Sequence, residues 1–206
     1  MTKAIAKELV VAFFFTTFIC FLITITIGFK LDKTMSKINK MFTVSLSGNT
    51  VKRDIKLDKI EKRLTKYPSY GSAFGTIEIP SVDIDVTLYH GERLEVLRYG
   101  AGHHVGSYFP GEGGTIVIAG HNTWGQFYTL PNVKIGDQVI IKTDYGIYTY
   151  EITSTEVVNA NVLGENLHIY NNEEIIMLYT CYPVETPGYK SDRFVAYGKL
   201  VGDSNE

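Results

Sequence analysis

The stretch from Leu9 to Phe29 reads LVVAFFFTTFICFLITITIGF, with Glu8 before it, Lys30 after it and no charge inside. Roughly 20 apolar residues in helical form cross the ~30 Å hydrocarbon core of a bilayer. A helix of that length in a globular protein normally shows a polar face, and this one does not. The run therefore predicts one transmembrane helix over about 9–29, within an anchor of residues 1–30. Lys3 and Lys7 could also begin a signal peptide. Against that, the run exceeds an ordinary h-region and no small-x-small cleavage site follows it. Charge does not orient the helix, because Lys3 and Lys7 on one side face Lys30, Lys33, Lys37 and Lys40 on the other.

In a chain of 206 residues, this leaves room for one globular domain. A formal net charge of −2 gives no bulk attraction to nucleic acid. Residues 31–72 read as a tether, polar at first, with a short amphipathic helix from Asp54 to Lys66. There Asp54 is placed as N-cap, Ile60 and Leu64 share a face, and Pro68 bars continuation. From Gly75 onward the period changes to two. Gly75–Ile79 and Val82–Val86 alternate around the Pro80-Ser81 break, and Thr115–Ala119 is a short apolar run. Asp137–Lys142 and Gly146–Ser154 flank the turn Thr143-Asp-Tyr-Gly146, and Glu174–Thr180 and Arg193–Val201 complete the set. Many short strands, rich in β-branched residues and tyrosine, indicate an all-β barrel or sandwich.

The two cysteines divide between the apolar run (Cys20) and the soluble part (Cys181), so no disulfide framework is expected. Cys181 closes an apolar strand and is followed by Tyr182-Pro183. Proline cannot donate to a ladder, which puts the thiol at a sheet rim. Alone, such a thiol is more often inert than reactive. Arg193 opens the next strand, and an antiparallel return would bring its guanidinium beside Cys181, where it could favour a thiolate or an oxyanion. Without the cysteine, the same arginine would be an ordinary solvent-facing strand start. His121 follows Thr115-Ile-Val-Ile-Ala-Gly120, again at a rim, and histidine is the usual partner of a cysteine nucleophile. His90, His103, His104 and His168 compete for that role; His103 and His104 sit in a Gly-rich stretch that suggests loop structure. Trp124, Phe127 and Tyr128 read as core or wall residues. Glu112 could ligate a cation, but one carboxylate is not a site. Metal-type Cys/His spacing, a P-loop and a dinucleotide fingerprint are absent, so neither a metal nor a cofactor is expected.

These residues are also where the chain resembles the sortase family. Leu178-Tyr-Thr-Cys181 is similar to the family's Thr-Leu-x-Thr-Cys strand, with Met177 where the first threonine stands. Phe109 to His121 resembles the segment carrying the family histidine, Ser-Asp-Arg193-Phe-Val resembles the arginine strand, and Gly75-Thr-Ile-Glu-Ile-Pro80 resembles the opening strand. The resemblance covers about 73–201 and implies a closed eight-stranded β-barrel with short helices, the catalytic domain being 73–206. It implies a membrane-anchored cysteine transpeptidase with Cys181 as nucleophile, His121 as acid and base, and Arg193 holding peptide and oxyanion. The implied substrates are secreted proteins with a C-terminal LPxTG-like signal, cleaved after Thr through a thioester. A cell-wall amine from a peptidoglycan precursor is the implied acceptor. It also orients the chain, with the N-terminus inside a Gram-positive-type cell and residues 30–206 outside.

Alternatives are a pilin-polymerising sortase, a cysteine peptidase hydrolysing the same signal, and a silent β-module that binds envelope peptides. Pro110-Gly-Glu-Gly-Gly114 and Ala119-Gly-His-Asn122 look most like class D, ahead of classes E and A. A class C lid motif and a long tail after Val201 are missing, and the stretch between Val158 and Glu174 is short for the added helix of class B.

Overall fold

The computed structural model describes residues 13–27, 55–165, 173–185, 188 and 190–204. The chain divides into two compact units, Met1–Phe42 and Thr43–Glu206.

In the first unit, residues 13–27 form helix α1 and every one of them is exposed. Its threonines turn inward on their own helix: Thr17 Oγ1 donates to the Phe13 and Phe14 carbonyls, Thr24 to Cys20 and Thr26 to Leu22. Fifteen helical residues rise about 22 Å. Among the described residues no helix is long and apolar enough to cross a membrane. Residues 9–12 and 28–29 of the expected span, and 31–54 of the expected tether, lie outside the described residues.

The second unit holds a closed barrel of eight strands, as the resemblance implied, where the strand pattern by itself left barrel and sandwich open. Its strands are β3 (Ala73–Ile79), β4 (Ile84–His90), β5 (Ala101–His103), β6 (Thr115–Gly120), β7 (Gln138–Thr143), β8 (Gly146–Asn159), β9 (Ile175–Tyr182) and β10 (Asp192–Ser204). Around the wall the order is β10-β8-β7-β3-β4-β5-β6-β9, with β9 also pairing β10. The β4–β5 and β6–β9 pairs are parallel and the others antiparallel. Pro80 starts a one-turn 3-10 helix that separates β3 from β4, so β4 begins two residues later than the alternation suggested. Short helices α2 (Leu94–Leu97) and α3 (Ala160–Glu165) lie between β4 and β5 and after β8.

Alternation sorts each strand into an inner and an outer face. Ile116, Ile118, Ile176, Leu178, Phe194 and Ala196 enter the main core together with Tyr148 and Tyr150. Their neighbours Val117, Met177 and Val195 form a second buried cluster, against which Val158, Leu163, Tyr179 and Tyr197 pack. That cluster lies on the outer face of β6, β9 and β10, and Leu163 of α3 reaches it.

The helix expected from Asp54 to Lys66 is not formed; strands β1 (Leu57–Asp58) and β2 (Arg63–Leu64) make a small hairpin instead. Asp54 itself lies outside the described residues. Asp58 Oδ1 accepts the N–H groups of Ile60 and Glu61, at 2.8 and 3.0 Å, which turns the chain locally in competition with a helix. Lys62 then takes φ 50°. Ile60 is 94% exposed while Leu64 is 5% exposed, so the two do not share a buried face.

The Leu64 N–H is spent on Glu112 Oε1, which also accepts from the Tyr67 hydroxyl, while Glu112 Oε2 accepts from the Phe109 N–H. Burial and that carboxylate push the Tyr67 phenol up to about 12. Glu112 is thus a staple between the hairpin and the loop after β5. The same loop is fixed from the other side: the N–H groups of Gly111 and Gly113 each donate at 3.0 Å to one oxygen of Glu174. Both glycines have positive φ, 91° and 83°, which lets two N–H groups converge on one carboxylate.

Candidate active site

Cys181 is the last residue but one of β9, which ends at the Tyr182–Pro183 bond. The strand therefore runs one residue past the thiol. Its antiparallel register with β10 sets Arg193 directly opposite Cys181, and the β8 register sets Val158 opposite Arg193. Opposed residues project to the same side. Counting by twos from Met177 and Val195, Cys181 and Arg193 both lie on the outer face of the barrel wall. Cys181 is partly exposed.

His121 arrives from the neighbouring strand. β6 runs parallel to β9 with Gly120 paired to Thr180. The next residue along each strand is His121 on one and Cys181 on the other. The Thr180 hydroxyl donates to the Gly120 carbonyl at 2.9 Å in a buried bond, tying the two strand ends one residue short of the imidazole and the thiol. Gly120 is required here: a Cβ would stand 2.3 Å from the ring of Phe127. The structure thus gathers Cys181, His121 and Arg193 at one end of three adjacent strands, from positions far apart in the sequence.

Each of the three has a defined setting. The Arg193 Nη1 donates to the carbonyls of Lys190 and Asp192, at 3.0 and 2.8 Å, which folds the guanidinium against the loop before β10. His121 is half-buried, and that burial lowers its pKa from the ordinary value, so the neutral ring dominates near pH 7. Tyr179, two residues before Cys181 on the same face, has its phenol raised by burial and then by the Glu92 carboxylate, with Arg193 opposing. It is a neutral donor at working pH. Glu92 in turn holds His104 at 2.5 Å, and that bond raises the imidazole pKa.

Of the remaining histidines, His103 is placed otherwise than the sequence suggested. His103 ends β5 and is fully buried among Phe74 and Phe109, rather than sitting in a loop. His90 ends β4 with Nδ1 3.2 Å from His103 Nδ1. His168 lies outside the described residues. Trp124 and Tyr128 stack at 4.3 Å in the loop after His121, and Phe127 is fully buried, in line with wall and core roles.

Gln126 carries two bonds that sequence reading did not foresee, one to the backbone of His121 and one to that of Leu97. The signal available was weak: an amide five residues past the histidine, in a segment otherwise aromatic.

Comparison with known proteins agrees with this geometry. A family model described as the sortase domain matches residues 77–201. The chain is 33% identical over 144 residues to sortase D of Bacillus subtilis (strain 168), covering 70% of this chain and 72% of that protein. A solved structure of Listeria monocytogenes sortase A superposes with a TM-score of 0.58 at 27% identity, covering 65% of this chain and 90% of that one. A Clostridium perfringens sortase D5 transpeptidase gives 0.58 at 26% identity, covering 66% and 83%. With a family model spanning more than half its length, a closed barrel and a thiol among basic side chains at the rim, the chain belongs to the sortase family of cysteine transpeptidases.

Proposed function

We propose that Cys181, His121 and Arg193 are the catalytic residues of a membrane-anchored sortase that cleaves an LPxTG-like signal and transfers the protein to a cell-wall amine. The observation that carries the reading is the double register, Arg193 against Cys181 and Gly120 against Thr180. The Cys181 thiolate attacks the carbonyl of the signal's threonine, and Arg193 donates to the oxygen as it gains charge. The peptide C–N bond then breaks, His121 gives its proton to the leaving amine, and a thioester remains. An incoming amine, its proton taken by His121, attacks the thioester and releases the Cys181 thiolate. Because burial disfavours the imidazolium, only a minority of molecules near neutral pH carries the protonated ring that the leaving amine needs. The similarity to two class D proteins supports that subclass.

The anchor rests on the apolar run 9–29 and on α1. The described part of that helix carries no charged residue, and the hydroxyls of its threonines donate to its own carbonyls. Hydroxyls satisfied in this way need no water as a partner in a bilayer. Anchor 1–30, tether 31–72 and catalytic domain 73–206 would place the barrel outside a Gram-positive cell, reaching secreted proteins as substrates.

The test incubates the full-length chain in detergent with a fluorogenic sorting peptide, with and without an amine. Cys181→Ala is expected to abolish turnover with the barrel intact by circular dichroism. Turnover in that variant sinks the reading. Free acid as sole product at every amine concentration would make the protein a hydrolase rather than a transferase.

A further inference from the structure

The His121 backbone is clamped on both sides. Its N–H donates to Gln126 Oε1 at 3.0 Å, and its carbonyl accepts the Phe127 N–H at 2.9 Å. The second of these is held by a buried ring, since Phe127 is fully buried against Gly120. The first is held by the other end of the same amide, because Gln126 Nε2 donates at 2.8 Å to the carbonyl of Leu97. Leu97 is the last residue of α2, where a helix leaves its final carbonyls without partners inside the helix. That helix is itself seated: Val96 is 4% exposed, and the Leu97 side chain lies so close to Gly102 of β5 that a Cβ there would stand 2.8 Å away. Gln126 therefore connects the segment bearing His121 to the barrel wall through α2.

We propose that Gln126 is a positioning residue for His121, setting where the imidazole stands relative to Cys181 by fixing the main chain from which it projects. The proposal rests on the reading that His121 is the acid and base. Glutamine suits the task because one planar group must accept at one end and donate at the other. An aliphatic residue does neither. An ionised glutamate accepts from His121 but turns a second acceptor toward Leu97; only its protonated form restores the donor. A misplacement on the order of 1 Å at a reacting group costs roughly 10²-fold in rate.

The test measures kcat, KM and pH profile of the full-length chain in detergent with a fluorogenic sorting peptide and amine. Three variants are compared: Gln126→Leu, Gln126→Glu and His121→Ala. Gln126→Leu is expected to lower kcat by roughly 10- to 100-fold with KM within about two-fold, since the clamp acts on the imidazole and not on peptide binding. Gln126→Glu is expected to match Leu near pH 8 and to regain activity relative to wild type as pH falls and its carboxyl takes up a proton. That rising ratio is a signature that loss of packing would not give, and it remains readable should the leucine variant fold poorly. Wild-type kcat in Gln126→Leu, a change confined to KM, or a pH-independent ratio for Gln126→Glu overturns the proposal while an inactive His121→Ala leaves the reading beneath it standing. Full turnover in His121→Ala removes that reading, and the proposal with it.

Discussion

The Thr180 hydroxyl donates to the carbonyl of Gly120 at 2.9 Å, and the residues that follow these two are Cys181 and His121. One side-chain bond between neighbouring parallel strands thus sits directly beneath the proposed nucleophile and its partner. Thr180→Val removes the hydroxyl at nearly constant shape in a buried position. It is expected to cost about 1–2 kcal/mol of stability. It should also lower kcat/KM for a sorting peptide more than Thr180→Ser, which keeps the donor. Urea unfolding and steady-state kinetics on both variants check this; equal kinetics for valine and serine would show that the bond has no part in placing the site.

Among the described residues, Arg193 reaches the carbonyls of Lys190 and Asp192 through Nη1, and a guanidinium has further N–H groups that can donate to a bound peptide. Lysine offers a point charge without that planar fork. Arg193→Lys is expected to retain the fold and to lose roughly 10²–10³ in kcat, the typical effect of removing an oxyanion donor. Burst kinetics of acyl-enzyme formation give the cleanest measurement, because the loss should fall on acylation. A variant acylating at the wild-type rate would assign the arginine to binding alone.

Much of this site was legible because strand ends announce themselves. Pro183 marks the end of β9, Gly120 the end of β6, and the turn before Arg193 the return of the chain. Legibility failed where side chains compete locally with the backbone. Asp58 turned an amphipathic pattern into a hairpin by accepting two N–H groups, and no periodicity in Ile60 and Leu64 reveals that. His103 looked like a loop residue among glycines because β5 has only three residues, Ala101–His103, too few for a period of two to show. The bond from Gln126 to Leu97 and those from Gly111 and Gly113 to Glu174 join segments far apart in the chain, to which a linear pattern carries no pointer.

Glu174 accepts from Gly111, Gly113 and the Tyr150 hydroxyl, the last at 2.6 Å. Tyr150 is fully buried. Glu174→Ala strands three donors, one of them the hydroxyl of the fully buried Tyr150 and two on partly buried glycines, and about 1–3 kcal/mol of destabilisation is expected. Glu174→Gln should fall between the two, since an amide keeps one acceptor oxygen and turns an NH2 toward a former donor. Urea midpoints of the three proteins provide the comparison, and an unchanged midpoint for alanine would mean that the loop after β5 is held by Glu112 without it.

The last prediction concerns acid stability. His103 is fully buried, stacked on Phe109 at 4.2 Å, with Nε2 2.9 Å from the carbonyl of Tyr108. A carbonyl only accepts, so Nε2 carries the proton and Nδ1 is the acceptor, which makes His90 Nδ1–H the donor across the 3.2 Å contact. A second proton on His103 would put a charge in the core against another N–H. Burial accordingly lowers its pKa to about 3. The unfolded chain takes up that proton near pH 6.5 and the folded chain does not, so the unfolded state binds more protons between pH 6.5 and about 3. The stabilisation is complete above 6.5 and declines by ~1.4 kcal/mol for each pH unit below it, or about 2 kcal/mol at pH 5. His90 adds a contribution of the same sign through its own burial, while His104, raised by Glu92, contributes stability below 6.5 that is lost as pH climbs through its folded pKa. The difference between wild type and His103→Gln isolates the one residue. Urea unfolding at pH 7 and pH 5 should show a shallower loss in the glutamine variant, whatever its absolute stability; parallel slopes would mean that His103 is protonated in the folded protein.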